Sequence, residues 1–103
     1  MSKNQDAYFV YIMSNKKDGV IYIGVSGQLK KRIYQHKNKY SKGFVNKYNL
    51  DKLVYYEKFE SPSEAIQREK QLKKWNRDWK INLINDFNPD WFDLSFRFDE
   101  IKT

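Results

Sequence analysis

Four polar side chains in this sequence are of types that bind anions, exchange protons or hold metal ions. Tyr22 precedes Arg32 by ten residues, His36 follows Arg32 by four, and Glu69 comes later. A guanidinium binds oxyanions through two parallel hydrogen bonds, an imidazole exchanges protons near neutral pH, and a carboxylate binds hard metal ions. These types are unusual in a plain apolar core, so we take the four residues as candidates for one site.

Two of these residues also have a purely structural interpretation. His36 lies on the apolar stripe of a predicted helix, where a single histidine is more often an ordinary core residue. Its i,i+4 spacing from Arg32 favours a functional role, because such residues are neighbours on a helix. Glu69 falls within the apolar stripe of a later helix, and a buried carboxylate needs a partner. That helix alone favours a salt bridge over a metal ligand.

Composition limits the classes to which the protein can belong. Its 103 residues are enough for a single domain. The absence of cysteine excludes a disulfide framework and a cysteine-based zinc site. No apolar run approaches the ~20 residues of a membrane span, and the first residues lack the apolar core of a secretory signal. We therefore expect a cytoplasmic protein without a membrane partner.

The net charge of +7 indicates a polyanionic partner, most simply nucleic acid. The alternative is that the basic residues are solvated helix faces, and charge alone does not decide between the two. Acidic neighbours dilute the second basic cluster, which comprises Arg68, Lys70, Lys73, Lys74, Arg77 and Lys80. The better phosphate-binding candidates surround Arg32 and are Lys30, Lys31, Lys37, Lys39 and Lys42, with Lys47 nearby.

The first half of the chain predicts a β-hairpin followed by a helix. Strands are predicted over 7–14 and 20–25, joined by a turn containing Asp18-Gly19. Alternation places Tyr22 and Gly24 on one face of the second strand, and Gly24 marks either a bulge or a close approach. One face of the first strand carries Tyr8, Val10 and Ile12, and the other face carries Phe9, Tyr11 and Met13.

The helix is predicted to begin at Ser26 as N-cap, and its apolar stripe is Leu29, Ile33, His36 and Tyr40.

The second half predicts a third strand over 53–59 and two helices, after a loop or short irregular helix over 41–50. Ser61, Pro62 and Glu64 form a capping box at the start of the first helix. Its apolar stripe is Ala65, Ile66 and Leu72. The second helix is capped by Asn76, ends at Asn88-Pro89, and has Trp79, Leu83, Ile84 and Phe87 facing inward. Residues 90–94 are expected to pack, and Phe96 and Phe98 could add an edge strand.

Taken together and in order, these motifs resemble the GIY-YIG nuclease domain, especially its small single-domain bacterial members. The resemblance rests on Val10-Tyr11-Ile12, Tyr22-Ile23-Gly24, Arg32, His36 and Glu69. It covers residues 7–94, and the run Asn-Pro-Asp-Trp at 88–91 resembles the end of the small members. It implies an α+β fold, a small three-stranded antiparallel sheet flanked by helices. It also implies one domain over 1–103, with a core over 7–94 and a tail over 95–103.

The function implied by the resemblance is hydrolysis of phosphodiester bonds in DNA with a single divalent metal ion, Mg²⁺ or Mn²⁺. The catalytic residues would be Tyr11, Tyr22, Arg32, His36 and Glu69, with Glu69 as the metal ligand. The first triplet departs from the family pattern, which leaves Tyr8 as an alternative to Tyr11.

Three further points complete these expectations. Asn88, or alternatively Asn85, would match a late family asparagine that supports the glutamate helix or the phosphate, and Gly24 would leave room for the phosphate. We expect a monomer or weak homodimer. The alternative functions are a non-catalytic nucleic-acid-binding module on the same fold and an interaction domain with a coincidental motif.

Overall fold

The computed structural model of the protein describes residues 7–38 and 47–100. The strands are β1 (Tyr8–Ser14), β2 (Ile21–Ser26) and β3 (Lys52–Phe59). The helices are α1 (Leu29–Lys37), α2 (Pro62–Lys74), α3 (Arg77–Phe87) and a 3₁₀ helix (Leu94–Glu100). The strands form an antiparallel sheet in the order β2-β1-β3, so the predicted α+β fold is confirmed.

Both faces of the central strand β1 are buried, and they belong to two separate apolar clusters. On one face, the predicted residues Phe9, Tyr11 and Met13 pack with Leu29 and Ile33 of α1. On the other face, Val10 and Ile12 pack with residues of α2 and α3, namely Ala65, Leu72 and Ile84. The sheet therefore separates α1 from α2 and α3, and the predicted alternation of β1 is confirmed.

The hairpin between β1 and β2 closes through a turn of the predicted composition. Asp18 adopts a left-handed backbone with φ of 59°, which short polar residues tolerate better than most. The Gly19 N–H donates to the Lys16 carbonyl at 2.9 Å, and Asn15 Oδ1 accepts from the Val20 N–H at 3.0 Å. The turn sets the register in which Tyr11 pairs with Gly24.

Helix starts follow the predicted caps in two of three cases. Ser61 accepts from the Glu64 N–H and Asn76 from the Trp79 N–H, so α2 and α3 begin as expected. The prediction for Ser26 was wrong, because Ser26 ends β2 and Gln28 takes the N-cap position of α1. Ser26 Oγ instead accepts from the Gln28 N–H at 2.9 Å.

Three large apolar residues predicted to face inward are exposed. Ile66, Trp79 and Phe87 keep 41%, 55% and 47% of their surfaces accessible. Only Ile84 of α3 is fully buried, while Ile81 and Leu83 are partly buried against the same cluster. Trp79 touches the ring of Trp75 edge-on, and Phe87 touches two tyrosine rings of β3.

The C-terminal segment differs from the predicted edge strand. Trp91 and Leu94 are buried as expected for a packed segment, but the chain then forms a 3₁₀ helix in which Phe96 is 88% exposed. The side chain of Phe98 lies outside the described residues, as do Tyr40 and most of the predicted loop at 41–50. Within the two described ranges, no helix is long and apolar enough to cross a membrane.

Replacement of Asn88 by alanine is expected to lower the free energy of unfolding by about 2–4 kcal/mol. Asn88 is 5% exposed, and its amide donates to the carbonyls of Val54 and Phe92 at 3.1 and 2.9 Å. Its Oδ1 accepts from the Phe92 N–H at 3.1 Å, so the truncation leaves several buried backbone groups unpaired. Urea unfolding measures the change. Asn38→Ala, at an exposed helix end, is the control, and an equal loss in both variants contradicts the prediction.

Candidate active site

Three of the predicted site residues meet on the α1 side of the sheet. Tyr11 comes from β1, Tyr22 from β2 and His36 from α1. The ring centroids are 6.3 Å apart for Tyr11 and Tyr22, and 5.9 Å for His36 with each tyrosine. Tyr11 Oη and His36 Nε2 are hydrogen-bonded at 3.1 Å. The alternative residue Tyr8 packs with the opposite cluster, so Tyr11 is the tyrosine that the fold places beside Tyr22.

Burial keeps the phenol of Tyr11 protonated at neutral pH. Only 1% of this residue is exposed, and burial is the main cause that raises its pKa. The neighbouring Tyr22 and the charge of Glu69 raise the pKa further, while the charge of Arg32 lowers it. Tyr11 is therefore no ready base by itself, and its pKa is influenced by three other predicted site residues.

His36 is a neutral imidazole over most of the accessible pH range. Burial, followed by the charge of Arg32, lowers the pKa of His36 to about 4. Its Nδ1 is buried and has no hydrogen-bond partner among the described residues. An imidazole with its proton on Nδ1 presents the Nε2 lone pair to the Tyr11 hydroxyl, which then donates the hydrogen bond.

The depressed pKa of His36 gives folding a defined pH dependence. Between pH 6.5 and about 4 the unfolded chain takes up a proton that the folded protein does not, so stability falls as the pH falls through this window. His36 is the only histidine of the chain, so His36→Gln should remove this part of the slope. Urea unfolding across the window measures the slope in both proteins, and parallel slopes contradict the prediction.

The space beside Gly24 is filled by the ring of Tyr11, contrary to the expected room for a phosphate. A Cβ at Gly24 would lie 2.6 Å from Tyr11 Oη and 2.7 Å from Tyr11 Cζ. Since the two residues are paired across β1 and β2, the missing side chain lets the phenol lie flat against the neighbouring strand. Gly24 thus positions Tyr11 and does not form the wall of an open pocket.

Gly24→Ala is expected to lower the free energy of unfolding by about 2 kcal/mol or more, because the buried Tyr11 ring cannot move away freely. The same change should disrupt the hydrogen bond between Tyr11 and His36. Urea unfolding gives the first effect, and the NMR shifts of the His36 ring give the second. Gly27→Ala is the milder comparison and should cost less, since its Cβ would lie 3.1 Å from the Tyr8 ring, which is only half-buried. An unchanged stability in Gly24→Ala contradicts the prediction.

Arg32 is exposed on α1 and available to an anion. It makes no ion pair or side-chain hydrogen bond with any other residue in the described ranges. Its charge nevertheless affects the pKa of both Tyr11 and His36. It also lines an open cleft of about 570 Å³ at the end of β2, to which α2 contributes Ile66.

Glu69 lies on α2, the helix on the opposite face of the sheet, and its charge acts on Tyr11 from there. Its carboxylate lies 3.0 Å from Lys73 Nζ, so the salt bridge considered from the sequence is present. Only 16% of the Glu69 side chain is exposed, against 51% for Lys73. Because the Glu69 charge also raises the Tyr11 pKa, the carboxylate acts on the tyrosine cluster as well as on Lys73.

The donor set of the site fits a hard, largely hydrated ion. In the described ranges, no group of three or more His, Cys, Asp or Glu side chains could hold a metal ion. Glu69 is the carboxylate next to the cluster, and Mg²⁺ is commonly held by one or two carboxylates with water in the other positions. Glu69, whose charge acts on Tyr11, and Arg32, which has no ion-pair partner among the described residues, therefore fit Mg²⁺ or Mn²⁺ shared with an anionic substrate.

Of the remaining predicted residues, some are exposed, some are bonded to other residues and some lie outside the described residues. Lys30 and Lys31 are exposed on α1, but Lys37 pairs with Asp93 and donates to the Asp51 carbonyl. Lys39 and Lys42 lie outside the described residues. The side chain of Asn88 is bonded to the backbone of β3 and of Phe92, and Asn85 accepts from the Trp91 indole at 2.6 Å.

The sequence interpretation overlooked a polar cluster that fixes α2 to β3. Arg68 donates to the Glu57 carboxylate from Nε and Nη2, both at 3.0 Å, and the Tyr55 hydroxyl donates to the same carboxylate. The Arg68 guanidinium also lies over the Trp75 ring. The signal available in the sequence was the opposite charge of Arg68 on the helix and Glu57 on the preceding strand. The cluster sets the position of α2, and hence of Glu69.

The sequence is similar to those of several known proteins. The family described as the GIY-YIG catalytic domain matches residues 7–82. A UPF0213 protein of Staphylococcus saprophyticus is 35% identical over 81 residues, which cover 79% of this chain and 98% of that protein. A UPF0213 protein of Staphylococcus aureus is 32% identical over 81 residues, with the same coverage of 79% and 98%.

A solved structure of another relative is also similar in sequence. The solution NMR structure of a UPF0213 protein from Bacillus halodurans shares 28% identity, covers 77% of this chain and 83% of that chain, and has a TM-score of 0.49. The family match spans well over half of the chain and contains every residue of the tyrosine, histidine, arginine and glutamate site. The chain therefore belongs to the GIY-YIG catalytic-domain family.

Proposed function

We propose that the protein is a metal-dependent endonuclease that hydrolyses phosphodiester bonds in DNA. The observation that carries the proposal is the electrostatic neighbourhood of the Tyr11 hydroxyl. It is bonded to His36, and its pKa responds to Arg32 on one helix and Glu69 on another. An anion-binding group, a metal-binding group and a proton-transfer pair in one place are the parts that phosphoryl hydrolysis needs.

Arg32 binds the scissile phosphate in this proposal. Its guanidinium is exposed and lacks an ion-pair partner among the described residues, so binding a phosphate breaks no ion pair. A planar guanidinium donates two parallel hydrogen bonds to phosphate oxygens and stabilises the charge that grows on them during attack. Lys30 and Lys31 on the same helix and the net charge of +7 attract the rest of the strand.

Tyr11 and His36 move the proton of the attacking water. The water gives its proton to Tyr11 Oη while Tyr11 gives its own proton to His36 Nε2, so Tyr11 is never a free phenolate. The raised pKa of Tyr11 disfavours a standing phenolate, and the neutral imidazole hydrogen-bonded to it is the group positioned to receive the proton. The Tyr22 ring packs against both side chains and helps to fix their relative position.

Glu69 would hold the divalent ion through its carboxylate, in place of its ion pair with Lys73. When bound, Mg²⁺ or Mn²⁺ supplies positive charge to the phosphate and to the leaving oxygen. A cation held there would offset the Glu69 charge that raises the pKa of Tyr11, which would couple metal binding to proton transfer.

The test is the nicking of supercoiled plasmid DNA by the purified protein with Mg²⁺ or Mn²⁺. We expect cleavage by the native protein, none in EDTA, and a loss of about a hundredfold or more in Arg32→Ala. Arg97→Ala, at an exposed arginine of the 3₁₀ helix, is the matched control and should cleave normally.

Two outcomes decide against the proposal. Equal cleavage by the native protein and Arg32→Ala identifies a contaminating nuclease. DNA binding without cleavage in either metal supports the alternative, a non-catalytic nucleic-acid-binding module. The Glu69–Lys73 ion pair is the observation that favours this alternative, because it satisfies the carboxylate without a metal.

A further inference from the structure

The cleft at the end of β2 is separate from the tyrosine–histidine cluster and has a different lining. Its volume of about 570 Å³ lies within the range of small-ligand sites. The side chains that line it include Tyr8 from β1, Arg32 from α1 and Ile66 from α2. Arg32, which we assign to the scissile phosphate, is therefore also a wall of this cleft.

Tyr8 gives the cleft an aromatic wall held in a defined orientation. A Cβ at Gly27 would lie 3.1 Å from two atoms of the Tyr8 ring, so the ring lies close against the backbone at this point. Tyr8 also packs against the apolar cluster on the α2 side and is half-buried. A ring supported from behind and open in front is a suitable platform for a flat ligand.

The other walls suit a nucleobase attached to a sugar. Ile66 is 41% exposed, which is unusual for an isoleucine on a packed helix, and it supplies an apolar surface across the cleft. Gln28 is exposed at the start of α1, and its side chain makes no capping bond, so its amide is available to the polar edge of a base.

We propose that this cleft binds the nucleoside next to the phosphate held by Arg32, with its base stacked on Tyr8 and its edge facing Gln28. A base within a duplex stack cannot lie against a protein ring, so the bound nucleotide must be unpaired. The proposal rests on the proposed function and specifies its substrate class: DNA strands with an unpaired nucleotide beside the cleaved bond.

The test measures binding in EDTA, where no cleavage occurs, by fluorescence anisotropy with a short labelled oligothymidylate and a labelled duplex. Loss of one base–aromatic stack weakens binding by about 5- to 100-fold. We expect a loss of this size in Tyr8→Leu for the single strand only, and native affinity in Tyr8→Phe. Arg32→Ala should weaken the binding of both probes. Phe96→Leu, at an exposed aromatic residue away from the cleft, should bind like the native protein.

A second variant guards against a misfolded Tyr8→Leu protein. Gln28→Ala changes an exposed side chain, and should weaken single-strand binding several-fold without affecting duplex binding. NMR titration with thymidylyl-thymidine in EDTA should shift the amides of Gly27 and Gln28. If every Tyr8 and Gln28 variant binds both probes with native affinity, the proposal is overturned. An equal loss of affinity for the single strand and the duplex overturns it as well. Cleavage plays no part in these measurements, so failure of the endonuclease proposal would be seen separately in the plasmid assay.

Discussion

Replacing Glu69 by Gln is expected to reduce DNA cleavage on the order of a thousandfold while leaving the fold intact. Glutamine keeps the size of the side chain but loses the charge that would hold the divalent ion. The rate of plasmid nicking under single-turnover conditions with saturating Mg²⁺ measures the effect. Calorimetric titration with Mn²⁺ should show a parallel loss of metal binding in this variant.

Lys73→Gln is the control for this prediction, because it breaks the same ion pair from the other side. A helical i,i+4 ion pair contributes about 0.3–0.5 kcal/mol to stability, so neither variant should unfold. If Glu69 serves only its salt bridge with Lys73, the two variants will cleave equally. If it is the metal ligand, Lys73→Gln will cleave at close to the native rate. A large loss in Lys73→Gln would contradict the role that we assign to Glu69.

Replacing Tyr11 by Phe is expected to reduce cleavage by about 10²- to 10⁴-fold, the usual contribution of a positioned proton-transfer group. Phenylalanine retains the ring that packs against Gly24 and within the cluster of Phe9 and Met13. Only the hydroxyl that bonds to His36 is lost. The pH dependence of nicking should change with the rate, because the acid–base pair is broken while Arg32 and Glu69 remain.

Tyr56→Phe is the matched control, since Tyr56 lies opposite Tyr11 on the neighbouring strand and packs against the same apolar cluster. Its cleavage rate should stay near the native value. A native rate in Tyr11→Phe would show that the tyrosine has only a structural role. An equal loss in both variants would show that packing on this face, and not the Tyr11 hydroxyl, limits the reaction.

Local pattern predicted the parts of the fold that depend on neighbours in sequence. The alternation in β1, the capping serine and asparagine of α2 and α3, and the end of α3 before Pro89 all appear in the structure. Each depends on backbone geometry or on hydrogen bonds within a few residues, so tertiary context does not override it. The prediction that Ser26 caps α1 was wrong, because β2 extends through Ser26 and the helix begins later, with Gln28 as its N-cap.

Burial on the outer helices was predicted less well. An apolar stripe shows which side of a helix can pack, but not how much of that side finds a partner. Trp79 and Phe87 lie on a helix of which only Ile84 is fully buried, and much of each ring is exposed. Ile66 is exposed because it lines the open cleft beside Arg32.

The sequence by itself determined the residue types of the site, their order and the elements that carry them. The tertiary structure decided which tyrosine lies beside Tyr22, because the register of β1 against β2 places Tyr11 on Gly24. It also decided the ionisation of Tyr11 and His36, since their pKa shifts arise mainly from burial among side chains distant in sequence. Charge state depends on the surroundings of a group in space, and only the folded chain supplies them.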